Sequence, residues 1–122
     1  MNPEELSDRF LDYAVSVLHL ESKLNQSYSS RHIFHQLVRS ATSCGANYEE
    51  ARSAESKADF VHKLQVVLKE LRESSFWLRL LLRTDITSKD CMGSILKETD
   101  ELISILVQSV KTIKQVYILG YR

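Results

Sequence analysis

Apolar residues recur at steps of three and four along most of the chain, and this spacing constrains the fold more than any other feature. The first segment places apolar residues at Leu6, Phe10, Tyr13, Val17, Leu20 and Leu24. Residues at these steps share one face of an α-helix, whereas a strand alternates residue by residue. Three further segments have the same period, and none alternates long enough to make a strand. The pattern predicts an all-α protein.

Polar breaks separate the segments and indicate where the helices begin and end. The expected N-caps are Asn2 before Pro3 for helix one, Ser29 or Ser30 for helix two, Ser56 for helix three, and Thr87 or Ser88 for helix four. Gly120 is expected to end helix four. Four helices joined by short connections pack best as an up-down-up-down antiparallel four-helix bundle. At 122 residues we expect a single domain, 1-122.

Composition excludes several classes of protein. Three glycines and one proline are too few for a sandwich or barrel, which needs frequent turns. Sixteen basic residues balance sixteen acidic ones, which removes the simplest argument for a nucleic-acid binder. With no basic and apolar leader pattern and no apolar run long enough for a bilayer, we expect a cytoplasmic protein with no membrane contact. Cys44 and Cys91 are expected to be reduced, half-buried thiols.

Catalytic and metal-binding patterns are scarce. Di-iron bundles use Glu-x-x-His motifs, and this chain has none. His32 and His35 lie one turn apart and would need ligands from another helix to hold a metal, so two exposed histidines are the simpler interpretation. The sequence shows no nucleophile elbow and no glycine-rich phosphate loop. We therefore expect no enzyme activity, no metal and no cofactor.

Polar residues lie beside the apolar face of helix two and predict a network between helices. They are Gln36, Ser40, Ser43, Asn47 and Glu50, with Arg39 close to them and with Glu70, Glu73 and Trp77 facing them from helix three. Buried amides and carboxylates need partners, so we expect Asn47 and Glu50 to meet a neighbouring helix. Arg39 and Arg72 are the candidate cations. The network either fixes helix register or contacts a ligand or subunit.

Basic residues form two lines at helical spacing. The first consists of Lys69, Arg72, Arg79 and Arg83 on helix three, with Phe76 between them. The second, at the start of helix two, consists of Arg31, His32, His35 and Arg39. Either line could bind phosphates. The alternative is a solvated face with ion pairs such as Lys69 with Glu73 and Lys97 with Glu101.

Helix four is apolar over a wide arc. Ile105, Leu106 and Val107 are consecutive, and 116–119 is almost continuously apolar. Either this helix is deeply buried, or its outer edge packs against another subunit.

Three strings carry a family resemblance. They are QLVRSATSCGANYEEA at 36–51, SKADF at 56–60 and LKELRESSFWL at 68–78. Together they resemble the bacterial four-helix-bundle proteins encoded in intervening sequences of 23S ribosomal RNA genes. The resemblance implies a ring-shaped homopentamer. It also implies a fold related to the accessory variability protein of diversity-generating retroelements, which binds nucleic acid through a basic surface.

These observations lead to an expected function and two alternatives. We expect a non-enzymatic oligomeric adaptor that binds structured RNA, such as ribosomal RNA, or a ribonucleoprotein. The expected contacts are Arg31, Arg39, Lys69, Arg72, Arg79 and Arg83. The alternatives are a ring that binds a protein partner without nucleic-acid affinity, and a bundle that binds a metal or ligand.

Overall fold

Four α-helices form the protein, and the prediction of an all-α fold is confirmed. The computed structural model describes the backbone of residues 1–84 and 89–118 and the side chains of 1–84 and 92–115. The helices are α1 (Pro3–Leu18), α2 (Tyr28–Arg52), α3 (Lys57–Arg83) and α4 (Lys89–Ile118). No strand occurs within these described ranges.

Each of the first three helices begins with a side-chain N-cap. The Asn2 carboxamide oxygen accepts from the Glu5 amide at 2.8 Å, and the Ser56 hydroxyl accepts from the Asp59 amide at 3.0 Å, so both predicted caps are confirmed. The cap of α2 is Ser27, whose hydroxyl accepts from the Ser30 amide at 3.1 Å. The expected cap at Ser29 or Ser30 was wrong, because nearby serines offer similar local caps and here Ser30 is buried inside the first turn. The expected cap at Thr87 or Ser88 and the stop at Gly120 lie outside the described residues.

Helix one ends earlier than its apolar stripe suggests. The α-helix stops at Leu18 and continues as a 3-10 helix over His19–Lys23. Leu20 and Leu24 remain buried, because the tighter turn still presents them to the core.

The core is built from the predicted apolar stripes. Phe10 and Tyr13 on α1 are each 1% exposed, and the Tyr13 hydroxyl lies 2.8 Å from the Thr99 hydroxyl of α4. Gly45 of α2 faces Phe10, and a Cβ atom there would lie 3.2 Å from the Phe10 Cβ. The absence of a side chain at Gly45 therefore allows α1 and α2 to approach closely.

Contacts between helices agree with the expected arrangement. The most extensive contact is between α2 and α3, and α1 packs against α2 and α4. Along α2 and α3, Arg39 meets Glu70 and Glu50 meets Lys63, so residue numbers rise on one helix as they fall on the other. These pairs are compatible with antiparallel neighbours.

Exposed apolar side chains lie on α1 and not on α4 within the described residues. Leu11, Val15 and Leu18 are 63%, 46% and 47% exposed and follow one another at steps of four and three. Ile105 and Val107 of α4 are half-buried, and the predicted apolar run at 116–119 lies outside the described side chains. None of the helices described has the length and apolar character required to cross a membrane.

Candidate nucleic-acid interface

The solvent side of α3 carries one continuous line of exposed residues. We call it the α3 outer face, and it consists of His62, Gln65, Lys69, Arg72, Phe76, Arg79 and Arg83. The steps of three and four keep these residues on one side of the helix over six steps. Four of them are cations and none is acidic. The first predicted basic line is therefore a real surface feature.

These four cations make no ion pair within the described part of the chain. Arg79 donates from Nε to the Ser75 carbonyl of its own turn at 3.3 Å, which leaves its charge uncompensated. The expected pair of Lys69 with Glu73 forms no salt bridge, because Glu73 accepts from Arg39 and Trp77 instead, although the charge of Lys69 still helps to lower the pKa of Glu73. The guanidinium presents several donors from the neighbouring helix and competes well against a flexible lysine.

A second expected pair is also replaced by contacts between helices. Lys97 with Glu101 was wrong: Glu101 accepts from the Arg9 guanidinium at 2.9 Å, and Glu98 accepts from the same Arg9 side chain at 2.5 Å and 3.0 Å. Arg9 thus ties α1 to α4.

Arg39, predicted as a nucleic-acid contact, is occupied by acidic side chains. Its Nη1 lies 3.5 Å from the Glu70 carboxylate, its Nη2 donates to Glu73, and its Nε donates to Gln36 at 3.3 Å. The hydrogen bond to Glu73, together with both negative charges, raises the pKa of Arg39. Arg39 therefore compensates the two acidic residues that flank the α3 outer face on the α2 side.

Arg31 lies away from the α3 outer face. Its Nη1 donates to the Gln26 carbonyl at 2.5 Å, and it lines a groove with Leu18 and Glu21 toward α1. Arg31 is therefore apart from the α3 outer face, whereas His32 and Arg39 of the second predicted basic line contact Trp77 and Glu73 of α3. A role for Arg31 in binding RNA stays a prediction.

The predicted polar network divides into separate contacts. Ser40 and Ser74 form a buried pair, with their hydroxyl oxygens 2.8 Å apart. The Asn47 amide donates to the Ser43 carbonyl of its own helix at 2.9 Å, so the expected partner on another helix was wrong. A side-chain amide within a helix can donate to the carbonyl one turn earlier, which has a second lone pair, and so needs no partner on another helix.

Glu50 contacts a neighbouring helix as predicted, whereas Arg72 differs from expectation. Glu50 is exposed and accepts from Lys63 of α3 at 2.9 Å. Arg72 points outward and is not one of the cations of the network. Arg39 and Lys63 fill that role because they lie on the sides of α2 and α3 that face each other.

Four aromatic rings form a chain from α2 to α3. The ring centroids of Tyr28 and His32 are 6.4 Å apart, those of His32 and Trp77 are 6.5 Å apart, and those of Trp77 and Phe76 are 5.0 Å apart. The Trp77 indole donates to the Glu73 carboxylate at 3.0 Å. This hydrogen bond is the largest cause of the lowered pKa of the Glu73 carboxyl, and Arg39 lowers that pKa further.

Side chains suited to metal binding or nucleophilic catalysis do not converge in the part of the chain that is described. His32 belongs to the aromatic chain, and no group of three or more possible metal ligands occurs there. Cys44 is fully buried rather than half-buried, and burial raises the pKa of its thiol to about 12, so its reactive thiolate is scarce. Cys91 lies outside the described side chains.

A groove lies between the start of α1 and the second half of α4. Its volume is about 630 Å³, and no carboxylate, imidazole or thiol side chain lines it. The hydroxyl groups that line it, those of Tyr48, Ser104, Ser109 and Thr112, therefore have no carboxylate or imidazole beside them in the groove to act as a general base.

Comparison with known proteins identifies the family. A model of the 23S rRNA-intervening sequence protein family matches residues 5–108. The chain belongs to this family. The matched region includes all of α3, and so the whole α3 outer face.

A solved structure supports the fold of this family member. The crystal structure of a protein of unknown function from the S23 ribosomal protein family of Bacteroides thetaiotaomicron is 35% identical, with a TM-score of 0.83. The similarity covers 91% of this chain and 99% of that one. A search of curated proteins gives no match.

Acid should release the contacts of Glu73 in this family member. Its lowered pKa means that the carboxylate stabilises the fold above the ordinary value of 4.5, and this stabilisation is lost as pH falls through the lower folded-state pKa. We expect emission from Trp77, the single tryptophan, to change with a midpoint below 4.5. Arg39→Gln should raise the midpoint, and Glu73→Gln should abolish the transition. A transition that persists in Glu73→Gln would contradict the assignment.

Ser40 and Ser74 should be energetically coupled, although replacing either one should lower the free energy of unfolding only modestly. Each hydroxyl also has a carbonyl on its own helix, that of Leu37 for Ser40 and that of Glu70 for Ser74. Each single change to alanine is expected to cost about 0.5–1.5 kcal/mol, and the double change less than the sum. Urea unfolding measures both, with Ser43→Ala as a control. Additive costs would show that the hydroxyls do not interact.

Proposed function

We propose that this chain is an up-down-up-down antiparallel four-helix bundle that acts in the cytoplasm as a non-enzymatic RNA-binding adaptor. Its ligand is structured RNA or a ribonucleoprotein, and the α3 outer face is the contact surface. The observation that supports this most is the line of exposed cations on α3, which includes Arg72, Arg79 and Arg83 and has no acidic residue. The family description adds 23S ribosomal RNA as the class of RNA to test.

The local charge supports phosphate binding although the whole chain is neutral. From Lys69 to Arg83 the line extends about 21 Å at the rise of an α-helix. The nearest acidic residues on its α2 side, Glu70 and Glu73, are held by Arg39. The phosphate backbone of RNA would therefore meet positive charge along this whole length.

A fluorescence anisotropy titration with a labelled 23S ribosomal RNA hairpin tests the proposal. Phosphate contacts release counterions, so four of them should make log affinity fall with log salt at a slope of about −3 to −4. We expect binding at low salt and a marked loss at physiological salt. Absence of binding at low salt, or an affinity that does not change with salt concentration, would overturn the proposal.

A protein-interaction scaffold without nucleic-acid affinity is the second candidate. The exposed residues Leu11, Val15 and Leu18 favour it, because a stripe of this kind is typical of a surface that another chain covers. We propose that this stripe contributes to a homo-oligomer, which the family resemblance suggests is a pentamer. Sedimentation equilibrium gives the mass, and the ratio of absorbance at 260 and 280 nm shows whether RNA co-purifies. A monomeric mass would contradict the oligomer.

A further inference from the structure

Phe76 occupies an unusual position for an aromatic residue. It lies in the middle of the α3 outer face, with Arg72 one turn before it and Arg79 one turn after it. Its side chain is 51% exposed, so half of its surface remains in contact with water. The core does not explain its presence there, because the apolar stripe of α3 faces the opposite side.

The ring of Phe76 rests on a fixed support. It packs edge-on against Trp77, with an angle of 76° between the ring planes. Trp77 in turn is held by its indole hydrogen bond to Glu73, and Glu73 is held by Arg39. Phe76 is therefore presented to solvent by a supported ring pair.

We propose that Phe76, flanked by Arg72 and Arg79, is a stacking site for unpaired RNA bases. This inference rests on the proposed function and specifies its ligand: structured RNA that carries a single-stranded loop or end. Unpaired bases stack on exposed aromatic rings, whereas an A-form duplex keeps its base faces inside the helix. The two guanidinium groups, about 10 Å apart along the helix axis, are placed for the phosphates on either side of a stacked base.

The charge around Phe76 favours RNA over an apolar partner. The neighbouring positions along the same face of α3 are cations, and the rings that adjoin Phe76 toward α2 are aromatic rather than aliphatic. Duplex phosphates alone would need the cations but not the ring. The combination of both groups on one face is typical of single-strand recognition.

Two labelled RNAs separate this inference from the proposed function. One is a 23S ribosomal RNA hairpin with a short single-stranded uridine tail, and the other is the same hairpin without the tail. In both, the stem is closed by a tetraloop whose bases stack on one another, so only the tail offers bases that are free to stack on Phe76. Phe76→Leu keeps an apolar side chain but removes the ring, and Phe76→Tyr is the matched control that retains it. We expect Phe76→Leu to weaken binding of the tailed hairpin about 5- to 100-fold and to leave the tailless hairpin unchanged. The tyrosine variant should bind both RNAs as the unchanged protein does.

The single tryptophan provides a second measurement. Trp77 lies against Phe76, so a base stacked on this pair should quench its emission when the tailed hairpin binds, and the tailless hairpin should not. Equal salt-sensitive binding of both RNAs that Phe76→Leu does not alter would overturn the stacking site and leave the proposed function standing. Absence of binding by either RNA at low salt would overturn both. Quenching by vesicles of anionic lipid, with none by RNA, would assign the face to a membrane surface and also overturn both.

Discussion

A protein with both Arg79→Glu and Arg83→Glu is expected to bind a 23S ribosomal RNA hairpin about a hundredfold more weakly at low salt. Two attractive contacts with phosphates become two repulsive ones on a face whose charges are uncompensated. The slope of log affinity against log salt should fall by about two, because two fewer counterions are released. Anisotropy titrations at several salt concentrations measure both quantities.

The matched control reverses the same number of charges on a different helix. Lys97 and Lys111 are exposed on α4, and neither forms an ion pair within the described residues. Lys97→Glu with Lys111→Glu changes the net charge equally and should weaken binding far less. An equal loss in both proteins would show that net charge, and not the α3 outer face, determines the affinity.

The second large effect is expected at Gly45, where α1 and α2 lie close together. Gly45→Val should lower the free energy of unfolding by about 1–3 kcal/mol, because its methyl groups would overlap the α1 backbone near Phe10. Urea denaturation followed by circular dichroism measures the change.

Gly93 provides the opposite case within the same fold. It is exposed in α4, and nothing lies within 4 Å of the position that a Cβ would take. Gly93→Ala should therefore raise the free energy of unfolding by about 0.5–1 kcal/mol through helix propensity alone. If Gly45→Val left the free energy of unfolding unchanged, α1 would be able to move away from α2, and the close approach at Gly45 would not contribute to stability.

The apolar spacing predicts the fold because burial follows helical period closely in this chain. The spacing predicts that Phe10, Tyr13 and Val17 face the core, and all three are buried. The caps at Asn2 and Ser56 were also predictable, since capping is a contact within three residues. The cap of α2 was not, because the choice among neighbouring serines depends on which of them the core covers.

The candidate site was predictable in part. The spacing alone places the four cations and Phe76 on one side of α3, but their exposure depends on which side the other helices cover. The partners of Glu73 do not, because Arg39 reaches it from another helix, and sequence separation gives no measure of that distance. The exposed stripe at Leu11, Val15 and Leu18 was missed because Leu11 and Leu18 are adjacent to buried Phe10 and Val17. In the sequence the two faces therefore merge into one wide apolar pattern.

The zero net charge of this chain conceals a separation of charge. Helix α1 carries four acidic residues and one arginine, which is a formal charge of −3, whereas α3 carries six basic and three acidic residues, which is +3. Helices α1 and α3 are not among the extensively contacting pairs in the described structure, so the two charges belong to different sides of the bundle. The molecule is therefore an electric dipole. In the electric field of an approaching polyanion, the protein experiences a torque that turns α3 toward the ligand before any contact forms.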